Sequence, residues 1–144
     1  MSTTASPSPP TVAAAAAPPS TTYTGSCHCK RTTYTVTQSP SLTDPACEVT
    51  NCNCSICSRN GYLLIYIPDK HLSFTAGGLD DFTKYTFAPK HKIAHHFCPL
   101  CGTSCFAKST DPEFFSDYTA VNVRTLEGVE LDALKLKEVD GKSI

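Results

Sequence analysis

The sequence predicts an all-β domain organised around bound metal. Three observations carry this. Short segments rich in β-branched and aromatic residues alternate with Pro and Gly turn signals at regular intervals. No segment sustains a helical period. Nine cysteines fall mostly into compact clusters, a pattern that serves metal binding better than hydrophobic packing.

Taken in order, residues 1–21 are Ser, Thr, Pro and Ala sequence with no aromatic residue. Such a stretch buries too little apolar surface to offset its ordering entropy, so it is expected to be a disordered tail preceding one domain at 22–144. Candidate strands follow at 23–26, 32–37, 46–50, 62–67, 72–75, 82–87, 92–97, 103–107 and 119–123. Pro40, Pro45, Pro68, the Gly77-Gly78 pair, Pro89, Pro99 and Gly102 punctuate them. Residues Ser55–Asn60 and 130–136 are expected to contribute a helical turn each. The chain has 144 residues, which suits one domain.

A net charge of −1 removes the electrostatic case for nucleic acid or an anionic membrane as the main partner. There is no long apolar run, and the stretch from Tyr62 to Pro68 is far too short to span a bilayer. The N-terminus lacks a basic region, and its run of alanines is short for a secretory leader. The cysteine number is odd and the spacings are C-x-C and C-x-x-C, so metal is preferred to disulfides. A reducing compartment follows, with the cytoplasm expected.

The clusters are Cys27-His-Cys29, Cys52-Asn-Cys54-Ser-Ile-Cys57 and Cys98-Pro-Leu-Cys101. Zinc prefers sulfur and nitrogen in a tetrahedron and binds cysteine as thiolate. Cys27, Cys29, Cys98 and Cys101 make four ligands and close a structural site. Cys52, Cys54 and Cys57 make three and leave a position open, the arrangement of a catalytic zinc. The alternative pairing, Cys27 and Cys29 with two of the middle cysteines, fits the spacing as well. A second closed site is the competing reading of the triad, with Cys47, Cys105, His28, His95 or His96 as fourth ligand. Cys47 and Cys105 read as buried small apolar residues. His95 and His96 on one strand point to opposite faces, so at most one faces a site.

Gly25-Ser-Cys27-His-Cys29, the middle Cys-x-Cys-Ser-x-Cys57, Phe97-Cys-Pro-Leu-Cys-Gly102 and Val121-Asn-Val-Arg-Thr-Leu126 resemble the domain shared by glutathione-dependent formaldehyde-activating enzymes and centromere protein V. The resemblance implies an Mss4-like fold of packed antiparallel sheets with two zinc ions, one structural and one catalytic. It implies the same partition of ligands. It further implies a carbon–sulfur lyase activity, the addition of glutathione to formaldehyde and its reversal. Departures from the family pattern are Asn53 where His is common, His95-His96 where Arg is common, and Ser58 before Arg59. Glutathione carries two carboxylates, and Lys30, Arg31, Arg59, Lys90 and Lys92 are the cations nearest the clusters. Arg59 is the one expected to bind the thiol substrate. The rival reading is a non-catalytic, zinc-scaffolded protein-binding module. Oligomeric state is not legible.

Overall fold

The computed structural model describes residues 20–87 and 92–143. The expected tail therefore lies outside the described residues up to position 19, and regular structure starts at Thr21. Among the described residues, ten strands and one short α-helix follow, with 3-10 turns between some of them: β1 (Thr21–Ser26), β2 (Thr33–Gln38), β3 (Val49–Cys52), α1 (Ser55–Asn60), β4 (Leu64–Pro68), β5 (Leu72–Ala76), β6 (Thr83–Tyr85), β7 (Ile93–Phe97), β8 (Ser104–Ser109), β9 (Tyr118–Asn122) and β10 (Leu136–Val139). The strands form a three-stranded sheet in the order β1-β2-β5 and a seven-stranded sheet in the order β10-β3-β4-β9-β8-β7-β6. The all-β expectation holds, and each of the nine expected strands overlaps an observed one. No described helix is long and apolar enough to cross a membrane.

The larger sheet is covered on both faces, and strand alternation assigns its residues to one or the other. Ile65, Phe106 and Val121 face the smaller sheet, where they meet Tyr34 and Val36 of β2 in the main core. Aromatic rings fill the space between the sheets: Tyr34 and Phe106 lie 4.7 Å apart by ring centroids, and Phe82 stands edge-on to Phe106 at 5.4 Å. Leu64, Ala107 and Ala120 point the other way, into a second apolar cluster with Cys57 and Tyr62. Runs such as Cys105-Phe106-Ala107 are buried throughout for this reason.

The tenth strand is the element the sequence does not announce. Leu136, Lys137 and Glu138 are exposed, and their composition reads as a solvated turn rather than a strand. β10 nevertheless pairs with β3, from Leu136 opposite Val49 to Val139 opposite Cys52. This is the one parallel pairing among the described strands. Parallel neighbours need a long crossover, and here nearly the whole domain between β3 and β10 supplies it. The segment expected to form a helical turn over 130–136 contains a single 3-10 turn at Leu131–Ala133 before β10 begins.

Candidate metal centres and the adjoining cavity

Two turns carry the first group of cysteines. Cys27 and Cys29 follow β1, and the turn closes when the Lys30 N–H donates to the Cys27 carbonyl at 3.1 Å. Cys98 and Cys101 follow β7, and Gly102 N–H donates to the Cys98 carbonyl at 2.8 Å. Each turn ends on a residue in the left-handed region, Lys30 at φ 63° and Gly102 at φ 79°. Gly102 adopts it without steric cost. Lys30 pays about 1 kcal/mol, a strain the closed turn sustains. Thr103 locks the two turns together by accepting from the His28 N–H at 3.0 Å on its hydroxyl oxygen.

The four sulfurs converge. Cys29 Sγ lies 3.7 Å from Cys27 Sγ and 3.7 Å from Cys98 Sγ, and all four sulfurs fall within 4.8 Å of one another. Zinc–sulfur bonds of about 2.3 Å place the corners of a tetrahedron about 3.8 Å apart, so the donor set and its spacing fit a tetrahedral ion. Cys27 and Cys98 are buried, Cys101 is partly covered and Cys29 is exposed. The hydroxyl groups of Thr32 and Thr103 lie 3.5 Å from Cys27 Sγ and 3.2 Å from Cys101 Sγ. Burial opposes ionisation of Cys101, but the Thr103 hydroxyl and backbone N–H groups from Thr103 and Cys29 bring its thiol down to about 5. Cys29 moves the other way: an N–H from Arg31 lowers its thiol, but burial and the companion sulfurs outweigh it and push it up to about 11.

The second group is built by a strand end and a helix start. β3 delivers Cys52. Cys54 precedes α1 and Cys57 sits three residues later, so the two share one helical face. The Cys54 N–H points at Cys52 Sγ, 3.5 Å away. Burial acts against Cys54 ionising, yet N–H groups of Cys57 and Ile56 and the neighbouring thiols hold it below its ordinary value. Burial and the two companion sulfurs push Cys57 up. Gly61, at φ 63°, ends the helix with its N–H on the Cys57 carbonyl. The three sulfurs lie within 4.8 Å of one another, and among the described residues no further Cys, His, Asp or Glu joins them.

None of the residues weighed as a fourth ligand brings a donor atom within 4.8 Å of all three triad sulfurs. Cys47 and Cys105 are buried in the main core, where burial raises both thiols, Cys105 to about 12. His95 and His96 do point to opposite faces. His96 stands edge-on to Phe82, and burial first, then Lys84, depresses its pKa. His95 stacks between Tyr62 and Phe87 at 5.8 and 6.2 Å and lines a cavity of about 620 Å³. All three triad cysteines line that cavity too.

A turn after β10 leans on the triad, and nothing in the sequence reading pointed to it. A Cβ added at Gly141 would run into Cys52 Sγ and come within 3.3 Å of Cys54 Cβ. Asn53 fixes the turn: its Nδ2 donates to Asp140 Oδ1 at 2.8 Å, its Oδ1 accepts the Lys142 N–H at 2.9 Å, and its own N–H meets the Val139 carbonyl at 3.0 Å. The departure from the common histidine at position 53 thus serves the chain's own architecture.

Arg59 does not line the cavity. Its Nη1 donates to the Ser55 carbonyl at 3.2 Å, and it borders a separate polar cleft with His28, Lys30 and Arg124. Arg31 pairs with Asp81 at 3.5 Å and Lys92 with Asp111 at 3.0 Å. Lys90 lies outside the described residues.

Residues 22–137 match the family of glutathione-dependent formaldehyde-activating enzymes. The chain belongs to that family. The structure of a Rhodobacter sphaeroides protein from a structural genomics programme is similar, with 26% identity and a TM-score of 0.60 over 79% of this chain and 99% of that one. No match was found among curated proteins. Membership of the glutathione-dependent formaldehyde-activating family agrees with two cysteine groups able to hold metal ions.

Proposed function

We propose that the chain is a zinc-dependent carbon–sulfur lyase-type enzyme. It adds glutathione or a similar thiol to formaldehyde or another small aldehyde, and it cleaves the same bond in reverse. The observation that carries this reading is the triad: three convergent cysteines, no fourth ligand among the described residues, and a cavity at their open side. Cys27, Cys29, Cys98 and Cys101 hold a structural zinc, and Cys52, Cys54 and Cys57 hold the catalytic one. Zinc on three thiolates carries a net charge of −1 and supplies affinity for a further sulfur, with a lowered thiol pKa, rather than a strong hydroxide.

The chain's own residues do the rest. The cavity wall holds the thiol substituent, so attack on the aldehyde gains chiefly from proximity. The C–S bond forms as the carbonyl π pair moves to oxygen, and the thiol proton ends on that oxygen. Tyr66 lines the cavity. It is 55% exposed, and partial burial raises its pKa against a Thr50 hydrogen bond that lowers it. Its hydroxyl is a cavity donor available to the developing alkoxide. Nine cysteines, none in a disulfide, suit the reducing cytoplasm, where we place the enzyme.

Metal analysis tests the partition. The full chain should carry two zinc ions. Cys54→Ser should lose one and keep its fold by circular dichroism, whereas Cys98→Ser should unfold. Equal unfolding by both would show that the triad is a second structural site. A folded, zinc-loaded protein that neither binds thiols nor accelerates adduct exchange by NMR would instead be a binding module.

A further inference from the structure

We infer that the cavity takes a thiol, or its aldehyde adduct, with a flat apolar body and no carboxylate, in preference to glutathione. The inference rests on the triad being an open thiol site. All three triad cysteines line the cavity, so a thiol that reaches them through it must lodge its substituent against the cavity wall.

The shape of that wall follows from strand register. Tyr66 of β4 pairs with Ala120 of β9, Ala120 with Ala107 of β8, and Ala107 with His95 of β7. One row across four strands therefore reads ring, methyl, methyl, ring on the cavity face. Neighbouring strands are about 4.8 Å apart, so the two alanines make a floor about one aromatic ring wide between Tyr66 and His95. Leu64 and Ile93 extend the floor, and Phe114, Phe115 and Tyr118 stand at the mouth. Phe115 is 72% exposed, and Phe114, Tyr118 and Tyr66 are exposed beside it around the same cavity, a contiguous aromatic patch of the kind that marks a ligand-binding groove.

The wall also lacks what glutathione needs. Among the described lining residues there is no Lys or Arg. Lys92 passes over the Phe114 ring, 5.9 Å from its centroid, but its ammonium is paired with Asp111. Glutathione would bring two carboxylates into an apolar slot with no Lys or Arg among its described lining residues, which is strongly unfavourable. The arginines border other clefts: Arg59 and Arg124 one beside the four-cysteine site, and Arg124 another that reaches Cys52 and Cys57 from outside this cavity but not Cys54. An aromatic or branched aliphatic thiol matches both the shape and the polarity of the slot. Its addition to an aldehyde is the balanced step given above and needs no other reactant.

Calorimetric titration of the zinc-loaded full chain with phenylmethanethiol and with glutathione tests this. Burial of a ring should make phenylmethanethiol bind at least about tenfold tighter. Cys54→Ser should abolish the binding of both thiols. Ala120→Leu should fill the floor, weakening phenylmethanethiol while sparing glutathione. Should that variant fail to fold, Phe115→Lys at the exposed mouth carries the same comparison. Glutathione binding equally or more tightly, and weakening on Arg124→Ala, would overturn the inference while leaving the open triad standing. If Cys54→Ser changes neither affinity, the triad reading fails and the inference with it.

Discussion

At the scale of single residues, Gly141 and Asn53 set the triad's surroundings as much as the cysteines do. Gly141 is needed for close approach rather than for backbone freedom, because a side chain there would collide with Cys52 Sγ. Gly141→Ala should lower triad zinc affinity by about 10- to 100-fold, the range found when groups that buttress metal ligands are altered. Competition with a zinc-sensing dye, read as one tight and one weakened site, measures it. An unchanged second site would mean that the turn can swing away freely. The cysteine clusters were legible in the sequence because thiolate chemistry is local: C-x-C and C-x-x-C bring two sulfurs to one ion wherever the segments lie. Which clusters share an ion was left open by spacing and depends on how the fold brings Cys27 and Cys29 to Cys98 and Cys101. Gly141 was not legible, since its role depends on a pairing nearly ninety positions from Cys52. Arg59 illustrates the opposite failure. It is close to Cys57 in sequence, yet α1 presents Cys57 to the triad and Arg59 to another cleft.

At the scale of elements, the loop from β8 to β9 carries the aromatic mouth and is held chiefly by Asp111. Its Oδ1 accepts the Glu113 N–H at 2.9 Å, its Oδ2 pairs with Lys92, and its backbone exchanges hydrogen bonds with the Ser109 hydroxyl. The Glu113 N–H, and then Lys92, hold its carboxyl below the ordinary 3.8. A depressed carboxylate stabilises above its unfolded value and loses that contribution as pH falls through the folded one. The loop should therefore stay ordered from neutral pH to well below 5, with the Glu113 amide signal shifting only under 3.8. Asp111→Asn should loosen it at every pH. An inflection near pH 5 would contradict the pairing. The strands themselves were readable because β-branched and aromatic residues mark them between Pro and Gly turns. β10 escaped because an edge strand of exposed Lys and Glu has the composition that keeps edges from aggregating, which is also that of a surface turn.

At the scale of the whole molecule, the four-cysteine site joins the loop after β1, in the smaller sheet, to the loop after β7, in the larger one. The two contributing segments are far apart in sequence: Cys29 and Cys98 are 69 positions apart. A structural zinc contributes on the order of 10 kcal/mol, and because the unfolded chain has no site, that energy is folding energy. Chelator titration should consequently proceed in two steps. The triad ion should leave first with little change in circular dichroism, and the second should leave together with cooperative unfolding. A single step that releases both ions with loss of structure would show that the triad is equally a fold determinant. The two-sided burial of the larger sheet explains this division of labour. One face is committed to the aromatic core under the four-cysteine site, and the other keeps its small residues free of that duty.

The parallel pairing of β10 with β3 also sets an order of events during synthesis. All four cysteines of the closed site have left the ribosome once residue 101 has emerged, and the triad cysteines emerge earlier still. The turn that seats Gly141 against Cys52 emerges only afterwards, once β10 can dock along β3. The four-cysteine group can thus bind its ion on a growing chain, while the triad acquires its finished surroundings only after residue 141 has emerged. An incomplete chain would hold the four-cysteine group before the turn after β10 has closed over the triad.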